Sequence, residues 1–292
     1  MTIRNPAEWG AAHFKVWSHA VAEASHAVSP TGEDRSAYEP TVRRIRTADL
    51  RDALAKGLQD FAAYRTDVFF LCLIYPVVGL VLAVAVFNGD ALHLLFPLAS
   101  GFALIGPFAA IGLYEMSRRR EQGIAVTWAD AFGVAASPAF GAVLVMGLIL
   151  TAIFLLWLVA AQLIYMVTVG PAFAASGAPD TFGAFLDQTV ATRAGWAMII
   201  LGCGVGFLFA AVVLAISVVS FPLLLDRRVG VATAIRTSVR ATLKNPEPMA
   251  LWGLIVVGGL ILGSIPAFVG LAIVMPVLGH GTWHLYRRLV PD

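Results

Sequence analysis

The sequence predicts an all-α polytopic membrane helix bundle, and three observations carry that prediction. First, 59% of its 292 residues are hydrophobic while only 13% are charged, against roughly 25% charged in soluble domains. Second, the apolar residues collect in runs long enough to cross a hydrocarbon core of about 30 Å at 1.5 Å per residue. Third, the basic residues fall almost entirely on one side of those runs. The predicted architecture has about six spans and three amphipathic surface helices.

The first forty residues, up to Pro40, mix prolines with Gly, Ser and charges, a composition that buries too little surface to fold alone. They are expected to form a flexible cytoplasmic tail (1–40) ahead of a transmembrane domain (41–292). Trp9, Val16, Trp17, Ala20, Ala24 and Val28 recur at near-helical spacing, which keeps a surface-lying helix over 7–28 as an alternative. His13, His19 and His26 are spread round such a helix and read as solvated side chains rather than ligands. No apolar core precedes a cleavage site, so a secretory signal peptide is not expected here.

From 47 to 67, Leu50, Leu54, Leu58 and Phe61 form one stripe with Arg51, Asp52, Lys56, Gln59 and Asp60 opposite. This reads as an amphipathic helix lying along the membrane surface. The first span is placed at 68–87, which carries no charge. Asn88, Gly89 and Asp90 supply the left-handed backbone of a tight reversal, and the second span returns over 91–116. After Arg118, Arg119 and Arg120 comes a short segment, 127–138, containing Trp128, Ala131 and Phe132. The third span, 139–170, is longer than a bilayer needs and should tilt or project until Pro171 stops it. A loop to residue 195 leads into the fourth span, 196–225, interrupted near its end by Pro222. Residues 226–248 are again amphipathic and basic. The final apolar stretch is too long for one crossing and divides into 249–264 and 267–286 at a turn near 264–266.

Arg43, Arg44, Arg46, Arg51, Lys56, Arg65, the arginines at 118–120, Arg227, Arg228, Arg236, Arg240, Lys244, Arg287 and Arg288 flank one face, and Arg193 sits opposite. Translocating such residues is unfavourable, so this face and both termini are expected in the cytoplasm, with the chain in a bacterial inner membrane. The net charge of +2 implies no attraction to nucleic acid. The expected partners are the lipid bilayer and either a membrane-protein complex or further copies of the chain. Asp52-Ala53-Leu54, Asp130-Ala131-Phe132 and Thr233-Ala234-Ile235 open three similar units of amphipathic segment plus span pair. Common ancestry and a generic membrane rhythm both account for them.

Few side chains are candidates for chemistry. An ionisable group within hydrocarbon is costly enough to suggest function, and Glu115 is one, although Arg118 and Arg119 stand at ion-pairing distance along the same helix. His280 and His284 share a helical face, the geometry that offers two imidazoles to a metal or haem. With Trp283, Tyr286 and Arg287 beside them and no third ligand evident, they also fit an interfacial aromatic belt. His93 reads as structural. Gln162 and Tyr165 in the third span, with Ser217 and Ser220 in the fourth, are suited to interhelical hydrogen bonds or a polar cavity. Gly202, Gly204 and Gly206 read as helix-packing positions rather than a nucleotide loop. Cys72 and Cys203 each lie in a separate apolar run and read as small buried hydrophobes rather than disulfide partners. Pro76, Pro97, Pro107, Pro222, Pro266 and Pro276 would kink spans and free carbonyls. No residue set here calls for a cofactor or defines a catalytic centre.

Over residues 42–289 the chain resembles a bacterial family of uncharacterised integral membrane proteins, a domain of unknown function some of whose members are labelled putative cytochrome c oxidase. Arg43-Arg44-Ile45, Gly106-Pro107-Phe108, Gly112-Leu113-Tyr114-Glu115 with its arginines, and the run from Ser220 to Arg227 carry the likeness. The family brings no established reaction. The oxidase label fails on chemistry, because a haem-copper subunit needs several histidines facing one another and a binuclear copper site needs paired cysteines. The expectation is a non-catalytic membrane protein, an accessory or assembly component of a respiratory or other membrane complex. The alternative is a small-molecule or lipid transporter with its site between repeated hairpins.

Overall fold

A computed structural model describes residues 39–72, 77, 80, 84, 92–127, 133–134, 137–176, 182–266 and 268–291. Among them the structure is helical, with no strand. In chain order the helices are α1 (Thr47–Cys72), a 3-10 turn (Leu92–Leu94), α2 (Leu95–Ala109), α3 (Ile111–Glu121), α4 (Phe140–Val167), α5 (Gly170–Ser176), α6 (Phe182–Ala191), α7 (Arg193–Ser217), α8 (Ser220–Asp226), α9 (Val231–Lys244), α10 (Pro246–Ser264) and α11 (Leu271–Leu289). Four stretches among the described residues are long and apolar enough to cross a membrane: Leu95–Glu121, Phe140–Val167, Arg193–Asp226 and Pro246–Ser264.

These four correspond to the second to fifth expected spans. The first, 68–87, is described only to residue 72 and at isolated helical positions, and the tail up to residue 38, the turn at 88–90 and the segment with Trp128, Ala131 and Phe132 lie outside the described residues. The sixth appears as α11, whose second half is polar. The segment 47–67 corrects expectation. It is no separate surface helix but the first part of α1, which runs antiparallel along α11: Asp49 and Asp52 bind Arg288, while a Cβ on Gly57 would lie 2.6 Å from the Gly281 nitrogen. Helix α9 is amphipathic as expected, with Val231, Ala234, Thr237, Ser238 and Ala241 buried.

Glycines set the helix contacts in the apolar layer. Phe154 of α4 fills the notch at Gly101 of α2, and Phe108 of α2 fills the reciprocal notch at Gly147 of α4. The indole of Trp157 donates from Nε1 to the Pro97 carbonyl at 3.0 Å, fixing the same antiparallel register. Of the glycines expected to pack, Gly206 meets the Trp157 ring, whereas Gly202 and Gly204 face open space. Cys203 between them is exposed, not buried.

Breaks follow local chemistry. Pro222 has no N–H to offer the Val218 carbonyl, so the long helix turns at residues 218–219 before α8. Helix α3 ends in Gly123 at φ 71°, with Gly123 and Ile124 donating back to the Arg120 and Arg119 carbonyls. Helix α4 stops at Val167, ahead of Pro171, which instead sits in the first turn of α5, where its missing N–H costs nothing. The expected loop to 195 contains α5 and α6, with Phe173 and Phe185 in ring contact. The hairpin between α10 and α11 turns at 265–270, where Gly263 and Gly270 touch.

The most deeply buried side chains, among them Leu50, Leu113, Met116, Phe221, Leu223, Met249, Trp252, Trp283 and Tyr286, concentrate where α1, α3, α8, α10 and α11 meet. The basic residues cluster at this same end. Large apolar side chains along the outward faces of α4, α7 and α10 stay exposed, as contact with lipid requires.

Candidate functional site

At the charged end, helix α11 faces acids from three elements. Tyr286 donates to Asp226 of α8 at 2.6 Å, the Trp283 indole donates to Glu121 of α3 at 3.0 Å, and Arg288 reaches Asp49 and Asp52 of α1. Trp283 and Tyr286 are therefore turned into the protein and form no lipid-facing belt. The extended segment 39–46 is tied down beside them. Asn245, buried between α9 and α10, accepts from the Ile45 backbone and donates to the Arg43 and Ala241 carbonyls, while Lys244 donates to the Val42 carbonyl.

Deeper in this layer lies a cluster that combines α1, α3 and α11. Ser117 Oγ is 2.6 Å from Asp60 Oδ2 and 2.7 Å from His280 Nδ1. His284 Nε2 is 2.8 Å from the same Asp60 oxygen, and Arg120 donates to Asp60 Oδ1 at 2.9 Å and to the Gln59 carbonyl. Asp60 is 5% exposed, Ser117 1% and His280 0%. Close packing here is possible because His280 is flanked by glycines: a Cβ on Gly279 would strike Leu113, and Gly281 abuts Trp252 and α1. Burial pushes the Asp60 carboxyl up, but the hydrogen bonds from His284 and Ser117 and the nearby imidazole charge hold it below its ordinary 3.8.

Proton counting fixes the hydrogen-bond directions. An ionised Asp60 can only accept, so the single Ser117 proton goes to it and His284 donates from Nε2. His280 must then donate from Nδ1 to Ser117, leaving Nε2 a bare lone pair. That atom is buried and has no hydrogen-bond partner among the described residues. Buried groups of this kind are rare enough to call for an explanation.

The pair His280 and His284 thus shares a face as the spacing implied, but each imidazole is committed to α1 or α3 through Asp60 and Ser117. Among the described residues no group of three or more His, Cys, Asp or Glu is arranged to hold a metal. Glu115 pairs within its own helix, 2.8 Å from both Arg118 and Arg119. Gln162 does bond between elements, to His93 Nε2 at 2.9 Å, and Tyr165 stacks on that imidazole with centroids 3.9 Å apart. Ser217 and Ser220 depart from expectation: each hydroxyl donates back to a carbonyl four residues earlier, Val213 and Ile216. Gln162 bonds to His93 at one end of α4 while Ser217 bonds within α7. Asp60, Ser117 and Asn245 were not singled out from sequence; the polar side of the 47–67 stripe was the available signal for Asp60.

No curated protein and no solved structure matches the chain. Residues 95–226 match the family described as predicted integral membrane protein (DUF2189). The matched segment contains Gly106-Pro107-Phe108, Gly112 to Glu115 and Ser220 to Asp226, and stops short of Arg43-Arg44-Ile45. From α2 to α8 the chain is thus similar to DUF2189, the uncharacterised membrane-protein family its own residues pointed to.

Proposed function

We propose that this chain is a non-catalytic protein of the bacterial inner membrane that docks the transmembrane helix of a partner protein, as an accessory or assembly component of a membrane complex. Its charged end faces the cytoplasm on this reading, because loops rich in Arg resist translocation. The observation that carries the proposal is how little of α7 is covered among the described residues. Only 6% of the apolar window of Arg193–Asp226 is buried, against 33% for Phe140–Val167. Gly204 stands on its exposed surface with nothing within 4 Å among the described residues, and a glycine notch admits close approach of a second helix in lipid, where packing rather than hydrophobicity drives association.

The non-catalytic part is supported at the charged end, where the hydroxyl beside a histidine, Ser117, is sealed and bound to a carboxylate. A nucleophile needs access to a reacting atom. A respiratory complex is the assembly that the family resemblance suggests. Cys203 lies between the open glycines and is exposed, so it serves as a crosslinking handle in native membranes. The expected result is a crosslinked adduct with a distinct membrane protein, lost in Cys203→Ser, and stoichiometric co-purification in mild detergent. A chain that purifies alone and gives no adduct overturns the proposal, and an adduct of two copies replaces the partner with a homo-oligomer.

A further inference from the structure

We propose that the extended segment 39–46 and the end of helix α9 form a binding site for an anionic phospholipid headgroup, at the point where α10 enters the membrane. Hydrogen bonds strap this segment across three helix ends. The Val42 carbonyl accepts from Lys244 Nζ at 2.6 Å and the Pro40 carbonyl from Arg240 at 2.8 Å, both donors belonging to α9. Asn245, between α9 and α10, holds the Ile45 amide at 2.8 Å and the Arg43 carbonyl at 3.1 Å. The Arg43 amide donates to the Leu289 carbonyl at the end of α11 at 2.7 Å.

With its backbone groups engaged in this way, the segment has its side chains left to offer. Val42 is buried, whereas Arg43 and Arg44 are exposed and pair with no carboxylate among the described residues. A guanidinium presents a planar fork of N–H donors that matches a phosphate, and one carried on a fixed backbone gives up less freedom on binding. Beside them Arg240, Leu243 and Lys244 line a shallow cleft of about 570 Å³ with Glu39, Thr41 and Val42, a size that suits a small polar headgroup. Two acids oppose the site in part: Glu39 pairs with Arg240 at 2.6 Å, and Glu247 is exposed in the first turn of α10. Arg236, one turn before Arg240, is exposed too. Arg43, Arg44, Arg236, Arg240 and Lys244 outnumber the acids, so the surface is net positive.

Two observations select a lipid over a nucleic acid or an acidic protein. Lys244 stands two residues ahead of Pro246, where the apolar span Pro246–Ser264 begins, so the cations lie at the level of the headgroups. Leu243, at 75% the most exposed large apolar side chain among the described residues, stands between Arg240 and Lys244. That combination fits the boundary of the acyl chains, where an amphipathic helix sinks apolar side chains while its basic ones hold phosphate. Leu251 and Leu254, in the first three turns of α10, are exposed as well and offer the acyl chains an apolar surface next to the headgroup. The bias of Arg toward one membrane face accounts for arginines near span ends. It does not account for two of them being carried on a backbone bonded to three helices.

The test titrates the full chain in mild detergent with dioctanoyl phosphatidylglycerol, dioctanoyl phosphatidylcholine and inorganic phosphate, and reads retained ligand by native mass spectrometry. Phosphatidylglycerol should bind saturably and at least about fivefold more tightly than phosphatidylcholine, whose phosphate carries a compensating cation, and raised salt should weaken it. Inorganic phosphate should displace little of it. Arg43→Gln and Arg44→Gln should each lower the affinity about fivefold, and Leu243→Ser about threefold through lost contact with an acyl chain. Arg193→Gln, exposed at the start of α7, should leave it unchanged. Equal binding of the two lipids overturns the site, as does full affinity in both arginine variants. Inorganic phosphate that binds as tightly as phosphatidylglycerol overturns the lipid and leaves a free anion in its place. The comparison of lipids uses the wild type alone, so a poorly folding variant cannot shield the idea. Because this site and the α7 face lie on different elements, failure here leaves the docking proposal standing, and the reverse.

Discussion

Replacing Gly57 by alanine tests whether α1 and α11 form the rigid frame of the cluster. The added Cβ would stand 2.6 Å from the Gly281 nitrogen, 2.7 Å from the Val277 carbonyl oxygen and 2.8 Å from the Gly281 Cα. All three are backbone atoms, so no rotamer change relieves the clash and the helices must separate by about 0.8 Å to restore ordinary contact. Asp60 lies one turn further along α1. The same displacement would stretch its 2.8 Å contact with His284 to about 3.6 Å, outside hydrogen-bonding range.

Overpacking costs about 1 to 3 kcal/mol and a lost hydrogen bond to a charged group about 1.5 to 3, while the higher helix propensity of alanine returns about 1. The expected net loss is therefore about 2 to 5 kcal/mol, a large part of a total stability of about 5 to 15 kcal/mol. Gly204→Ala, with open space around it, is the matched control and should be neutral or stabilising by up to about 1 kcal/mol. Thermal unfolding of the purified chain in mild detergent, followed by tryptophan fluorescence, ranks the variants. A Gly57→Ala protein as stable as the wild type, or a reversed order of the two, refutes the close contact of α1 with α11.

Trp157→Phe keeps a ring against Gly206 but removes the Nε1 donor to Pro97 and Ser100; a loss of about 1 kcal/mol is expected in the same unfolding assay. Asn245→Ala leaves the Ile45 amide and the Arg43 carbonyl without their partners, so amide exchange over 42–46 should accelerate at least tenfold with the spans unaffected. Acid should weaken the fold through Asp60. Its folded value lies below the ordinary 3.8, so its contribution is complete above that pH and is lost as pH falls through the lowered value. The melting temperature of Asp60→Asn should consequently fall less steeply than that of the wild type below about pH 4.

What sequence could and could not convey here follows from the range of each interaction. Apolar length and Arg asymmetry are local, and they placed the second to fifth spans, the break at Pro222 and the last hairpin turn close to where the helices run. The spacing of His280 and His284 likewise put both on one face. The stripe at 47–67 was legible as amphipathic, and Arg51, Lys56 and Gln59 do stay exposed, but periodicity cannot say what covers Leu50, Ala53 and Gly57 on the other side. The answer depended on α11, more than two hundred residues away, whose own polar half read as the end of a span. Gly57 and Gly281 give no signal singly, because a glycine notch exists only against its partner, and Gly202 and Gly204 are the converse: the same residue type with nothing opposite. Serines show the remaining ambiguity. Ser217 donates back within its helix while Ser117 links two other helices, and nothing in either local context separates them. The difference comes from the neighbours: a carboxylate from α1 and an imidazole from α11 converge on Ser117, and a hydroxyl so placed is drawn out of its own helix to join them.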